Sequence, residues 1–100
     1  MARPGSETLE VNPNTIPWRA TGTDGLINFF GTGYEPHVRY DIRYLSFVWS
    51  KEADDAGKFY FGISASAIPQ EDIGKIEATV NLRGQQPPTV LASATFRVTP

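Results

Sequence analysis

One histidine, His37, and eleven carboxylates supply whatever acid–base chemistry this 100-residue sequence can offer. A Ser-His-Asp relay would have to be built on His37, with Asp41 or Asp24 as its orienting group. No serine stands in the Gly-x-Ser-x-Gly setting of a strained nucleophile elbow. His37 follows Pro36 at the start of an alternating run, where a solvated imidazole is expected. Glu52, Asp54 and Asp55 offer oxygens of the kind Ca2+ takes, but not at the spacing of an Asp-x-Asp-x-Asp-Gly loop. Asp54-Asp55-Ala56-Gly57 instead reads as a turn, with Asp bonding to the local backbone and Gly taking positive φ. Gly31-Thr32-Gly33 lacks the lysine, the spacing and the following helix of a phosphate loop. A glycosidase needs two carboxyls across a cleft, and a flat domain of this size is not expected to supply one. The expectation is a chain with no catalytic residue, no metal and no cofactor.

Aromatic surface is the other chemistry on offer. Ile27, Phe29, Tyr40, Phe59, Phe61 and Phe96 fit one small core. Leu26, Phe30, Tyr34, Leu45, Phe47, Trp49 and Tyr60 are in surplus, and Trp18 lies on a segment flanked by Pro17. A chain this short cannot bury so many large side chains. Trp18, Phe30, Tyr34, Leu45, Phe47, Trp49 and Tyr60 are therefore expected to face a partner. For Trp18 and Trp49 the competing expectation is a buried plug at one end of the fold.

These residues must be carried by strands. Leu9 and Val11 alternate in Thr8–Val11, which Asn12-Pro13-Asn14 breaks. Ile16-Pro17-Trp18 continues extended, and two prolines confine it to a sheet edge. Leu26–Phe30 is a strand, and Gly31–Pro36 is expected to be a loop. Val38, Tyr40, Ile42 and Tyr44 then alternate with Arg39, Asp41 and Arg43, the cleanest half-buried pattern in the chain. At Leu45 the phase shifts, so that Leu45, Phe47 and Trp49 take the place the charges held. No turn residue intervenes, so a bulge or a crossing between sheets is expected there. After the charged connection Lys51–Lys58, Phe59, Phe61 and Ile63 form an inner face. Further on, Ile76, Ala78, Val80 and Leu82 alternate, as do Val90, Ala92, Ala94, Phe96 and Val98. About seven short antiparallel strands with regular turns spell an all-β sandwich. Residues 1–7 are expected to be a flexible arm and residues 8–100 the sandwich domain.

Several landmarks fall in a recognisable order: Thr8-Leu-Glu-Val-Asn-Pro, Gly31-Thr-Gly-Tyr with Pro36, Asp54-Asp-Ala-Gly-Lys-Phe, Ile68-Pro with Gly74, and the closing Ala92-Ser-Ala-Thr-Phe-Arg-Val-Thr-Pro. Together they resemble the immunoglobulin-like domains, of IPT/TIG and bacterial Ig-like kind, found in tailed-phage virion proteins and bacterial surface proteins. Members usually place a turn after the third strand, whereas Arg43–Trp49 runs on without a Gly. The resemblance implies an immunoglobulin-like β-sandwich that serves as a spacer, an adhesive module or a decoration on a larger assembly.

The remaining bulk properties narrow the partners. Nine basic and eleven acidic residues give a net charge of −2, and the basic residues are scattered, so the electrostatic footprint of nucleic-acid binding is missing. There is no cysteine, hence no disulfide or thiolate metal site. The start Met1-Ala-Arg-Pro-Gly-Ser-Glu is not expected to act as a leader peptide, and no apolar run in the sequence reaches membrane-spanning length. The expected role is a bacteriophage virion protein, a capsid decoration or tail component, docked on other subunits, a second copy of itself among them. The alternative is an Ig-like spacer or carbohydrate-binding repeat of a secreted bacterial surface protein, with Trp18 or Trp49 stacking on glycans.

Overall fold

The computed structural model describes residues 6–100. Eight strands follow one another: β1 (Thr8–Asn12), β2 (Thr15–Pro17), β3 (Leu26–Thr32), β4 (Arg39–Tyr44), β5 (Phe47–Glu52), β6 (Phe59–Ser64), β7 (Gly74–Leu82) and β8 (Ala92–Thr99). Short 3-10 turns at Gly22–Gly25, Ala65–Ala67 and Gln70–Asp72 are the only helical pieces among the described residues. No helix there is long and apolar enough to cross a membrane. Of the expected arm, residues 1–5 lie outside the described residues, and the Ser6 hydroxyl donates to the Gly33 carbonyl at 3.3 Å.

The strands form a three-stranded sheet, β1-β3-β6, packed against a five-stranded sheet, β2-β8-β7-β4-β5. Every pairing is antiparallel except β2 with β8, which is parallel. That exception departs from the expected all-antiparallel arrangement. It arises because the chain breaks at Pro13 and changes sheets without reversing, so a three-residue strand lies along the edge of β8. Pro17 costs little there, since an edge strand need not donate on its outer side.

Inward-facing residues of both sheets make one core. Phe29 is fully buried at its centre. It stacks on Phe61 at 4.8 Å and on Tyr44 at 5.8 Å, and meets Phe96 edge-on at 5.6 Å. Offset and edge-on geometries are the ones ring quadrupoles favour. Gly31 lets the ring of Phe59, its partner on β6, lie against the β3 backbone, because a Cβ there would stand 2.3 Å from that ring. Gly31 and Thr32 continue β3 rather than forming the expected loop, because they pair with Leu9 and Thr8 of β1.

The phase shift at Leu45 has a different cause from the expected bulge or sheet crossing. β4 and β5 pair as a hairpin, Tyr44 opposite Phe47, closed by the two-residue loop Leu45-Ser46. Leu45 takes φ +53°, since a two-residue hairpin loop needs positive φ to match strand twist. The turn that the family pattern leads one to expect is thus present, formed without glycine.

Three other expectations need correction at one end of the five-stranded sheet. Leu82 and Val90 are exposed rather than core, and β8 starts only at Ala92. Asn81 and Asp41 are buried although both lie on the outer face. Asn81 accepts from Arg43 Nε at 3.0 Å and donates to the Leu82 carbonyl at 2.8 Å. Asp41 accepts from Ser50 Oγ at 2.8 Å and from the Gly84 N–H at 3.4 Å. Their burial is tolerable because these polar atoms are paired.

Candidate functional site

Three strands packed over five leave the larger sheet overhanging. On one side the overhang is β2, whose inward residue Ile16 is buried. On the other it is β5. Register fixes the direction of its side chains, because cross-strand partners share a face. Phe47 and Trp49 stand opposite Tyr44 and Ile42, so both point inward. Phe47 is half-buried and 5.4 Å from the Tyr44 ring. Trp49 is 6.2 Å from Phe61 and donates its indole N–H to the Tyr44 hydroxyl at 2.7 Å, yet remains 45% exposed. A cleft of about 250 Å³ opens here, lined by Tyr44, Phe47, Trp49, Gly62, Ile63, Ser64 and Ala67.

The outer face of the three-stranded sheet holds a second aromatic feature. Phe30 and Tyr60 are cross-strand partners whose rings stack at 5.1 Å, and they are 38% and 55% exposed. The Tyr60 hydroxyl donates to Asn28 Oδ1 at 3.1 Å, fixing its ring. Beside the pair runs a groove of about 590 Å³, bordered by Glu10, Phe30, Thr32, Lys51, Glu52, Asp54, Lys58, Phe59 and Tyr60. Groove and cleft lie at the two ends of β6, on the same open side of the sandwich.

Of the residues expected to face a partner, Phe30, Leu45, Trp49 and Tyr60 are exposed and Phe47 is half-buried. Tyr34 is not at the surface. It is 1% exposed, packs on Tyr40 and Phe59, each at 4.8 Å, and donates its hydroxyl to the Thr8 carbonyl at 2.8 Å. Trp18 is half-buried against the core and donates its indole N–H to the Ile68 carbonyl at 2.8 Å. Among the lining residues, Lys51, Lys58 and Ala67 carry no site signal of their own in the sequence, and Ile63 reads there only as part of an inner face. Lys51 was within reach of sequence reasoning, because two residues after Trp49 on a strand is the same face.

His37 and the carboxyls of Glu52, Asp54 and Asp55 gather around the Ala53–Lys58 loop, whereas Asp41 bonds to Ser50 and Gly84 and Asp24 lies in the Gly22–Gly25 turn, so neither orients His37. His37, at φ +64°, places Nε2 2.6 Å from Asp55 Oδ1 and Nδ1 3.7 Å from Glu52 Oε2, all well exposed. Glu52 also meets Arg39 at 3.6 Å. Asp54 Oδ1 accepts the N–H groups of Ala56 and Lys58, each at 2.9 Å, and Gly57 takes φ +74°. The Lys58 N–H bond, with that from Ala56, holds the Asp54 carboxyl below its ordinary range. Asp54 thus does the work of a turn residue. No group of three or more His, Cys, Asp or Glu side chains among the described residues is arranged to hold a metal ion.

No protein-family model matches the sequence, and no curated protein does. Among solved structures it is similar to the Ca2+-stabilized adhesin that helps an Antarctic bacterium reach out and bind ice, with TM-score 0.61 and 16% identity over 98% of this chain. The chain spans 25% of that structure's length. It is also similar to a bacterial immunoglobulin-like domain from the M. primoryensis ice-binding adhesin, with TM-score 0.54 and 14% identity over 96% of this chain and 97% of that one. The fold is an immunoglobulin-like β-sandwich. At such low identity the likeness concerns the fold, and the IPT/TIG subtype and the virion setting gain no support from it.

Proposed function

We propose that this chain is a non-catalytic module of a bacterial surface protein, serving as a spacer with an adhesive side. The observation that carries the proposal is where the chain enters and leaves. Tyr34 bonds to Thr8 and packs on Tyr40 and Phe59, so β1, β4 and β6 all begin at one end of the sandwich. β8 runs in the direction of β4, because both are antiparallel to β7. Thr8 and Thr99 therefore lie at opposite ends, as a unit in a linear array requires. Likeness to adhesin domains points the same way, and favours this setting over a phage particle. The adhesive side is assigned to the open edge, with Phe30, Tyr60, Trp49, Phe47 and Leu45 as contact residues. The groove beside Phe30 and Tyr60 suits surface glycans as well, since ring faces stack on sugars and charged rims bond hydroxyls.

Antibody against the chain should label intact cells of the source bacterium, and protease shaving should release it. Co-sedimentation with intact phage particles through a density gradient, with no surface labelling, would overturn the proposal in favour of a virion protein.

A further inference from the structure

The position beside β6 and above β5 is a vacant strand lane. Among the described residues, no backbone hydrogen bond leaves β6 except to β3 and within its own turns. Its outer row of N–H and C=O groups is therefore open. Proteins usually blunt such edges with Pro, Lys or a bulge. β2 carries Pro17 and β5 carries Lys51, but β6 reads Phe-Tyr-Phe-Gly-Ile-Ser. Beneath the lane, Trp49 and Phe47 point inward with too little above them. The Trp49 N–H is already bound to Tyr44, so the cleft asks for an apolar side chain.

Charge sets the other end of the lane. Glu52 is engaged by Arg39 and His37, and Asp54 by two backbone N–H groups. Lys51 and Lys58 border the groove there and form no ion pair among the described residues, while Glu10, the remaining carboxylate of the groove, lies on β1, across β3 from β6. A carboxylate arriving at the Phe59 end of β6 would meet two ammonium groups.

We propose that the edge of β6 takes up an extended segment of another polypeptide, apolar at alternate positions and ending in an acidic residue, added antiparallel as a fourth strand. Antiparallel addition is the pattern of both existing pairs in this sheet, and it brings the segment's C-terminal end to Lys51 and Lys58. Main-chain bonds supply affinity and alternate side chains supply selectivity. A second copy's β6 does not fit, because its own β5 would collide with this one. The inference rests on the reading of the chain as a binding module, which surface labelling tests separately.

The probe is a hexapeptide of alternating valine and threonine that ends in glutamate, titrated to millimolar concentration into the 15N-labelled protein. We expect the Trp49 indole resonance to shift while that of Trp18 stays put, and amide exchange in β6 to slow at least tenfold. Trp49→Ala should weaken binding about tenfold. Lys58→Glu, in an exposed loop, should weaken it several-fold with the fold unchanged by circular dichroism, which keeps the test decisive if Trp49→Ala fails to fold. Unchanged β6 exchange, or equal binding by the same peptide with prolines at alternate positions, would overturn the proposal. So would a Trp49 shift produced by soluble polysaccharide and not by the peptide, which would assign the edge to glycans.

Discussion

Tyr34 shows how one side chain ties the sandwich end together and why alkali should loosen it. Its hydroxyl donates to the Thr8 carbonyl from a site with almost no exposure. Burial, reinforced by Glu7 and Tyr40 nearby, pushes the phenol well above its ordinary 10.0. Burial also raises Tyr44, partly offset by the Trp49 N–H that donates to it. A raised value means that the folded state holds its proton more tightly than the unfolded chain does. The stability these groups contribute is then complete below pH 10 and is lost as pH rises beyond it. The unfolding free energy from urea titrations should accordingly fall above pH 10, by up to about 1.4 kcal/mol per pH unit for each group. Tyr34→Phe should cost about 1 kcal/mol at pH 8 through the lost hydrogen bond, and its stability should decline less steeply from pH 10 to 11. A mutant declining as steeply as the parent would exclude Tyr34 as a source of the alkaline loss.

Hairpins and edges are where sequence reading and structure part company, and the β4–β5 hairpin carries its own prediction. Leu45 holds positive φ at an exposed turn, a conformation that costs an ordinary L-residue about 1–2 kcal/mol and that asparagine tolerates better. Leu45→Asn should stabilise the domain by about 0.5–1 kcal/mol, and Leu45→Val, β-branched at the same φ, should destabilise it by at least about 1 kcal/mol. Urea denaturation with an unchanged slope is the check, and a stabilising Leu45→Val would refute the strain. The alternation of β4 and β5 was legible, and so was the phase change between them. Its cause was not, because a leucine gave no turn cue. The burial of Tyr34 was hidden by the Gly-Thr-Gly before it, which reads as a loop until Phe59 is seen lying against Gly31. The parallel β2–β8 pair depends on a partner some eighty residues away in sequence, which no local pattern records. Alternation also could not show that Trp49 faces inward and stays half-open, since that depends on how many strands the opposite sheet has.

At the scale of the whole molecule, shape is what connects fold to proposed role. The domain measures 41 × 27 × 18 Å. A nine-residue strand such as β7 spans about 30 Å at roughly 3.3 Å per residue, and five strands side by side account for the middle dimension. The long axis therefore follows the strands, and the chain enters and leaves at its two poles. Two copies joined head to tail should then extend along that axis. Small-angle scattering of such a tandem protein should give a maximum dimension of about twice the 41 Å of one module, with a thermal midpoint close to that of the single domain, since the two units share little surface. A maximum dimension little larger than one module would mean that the units fold back side by side. The spacer reading would then lose its geometric basis, while the adhesive edge along β6 would stand or fall on its own test.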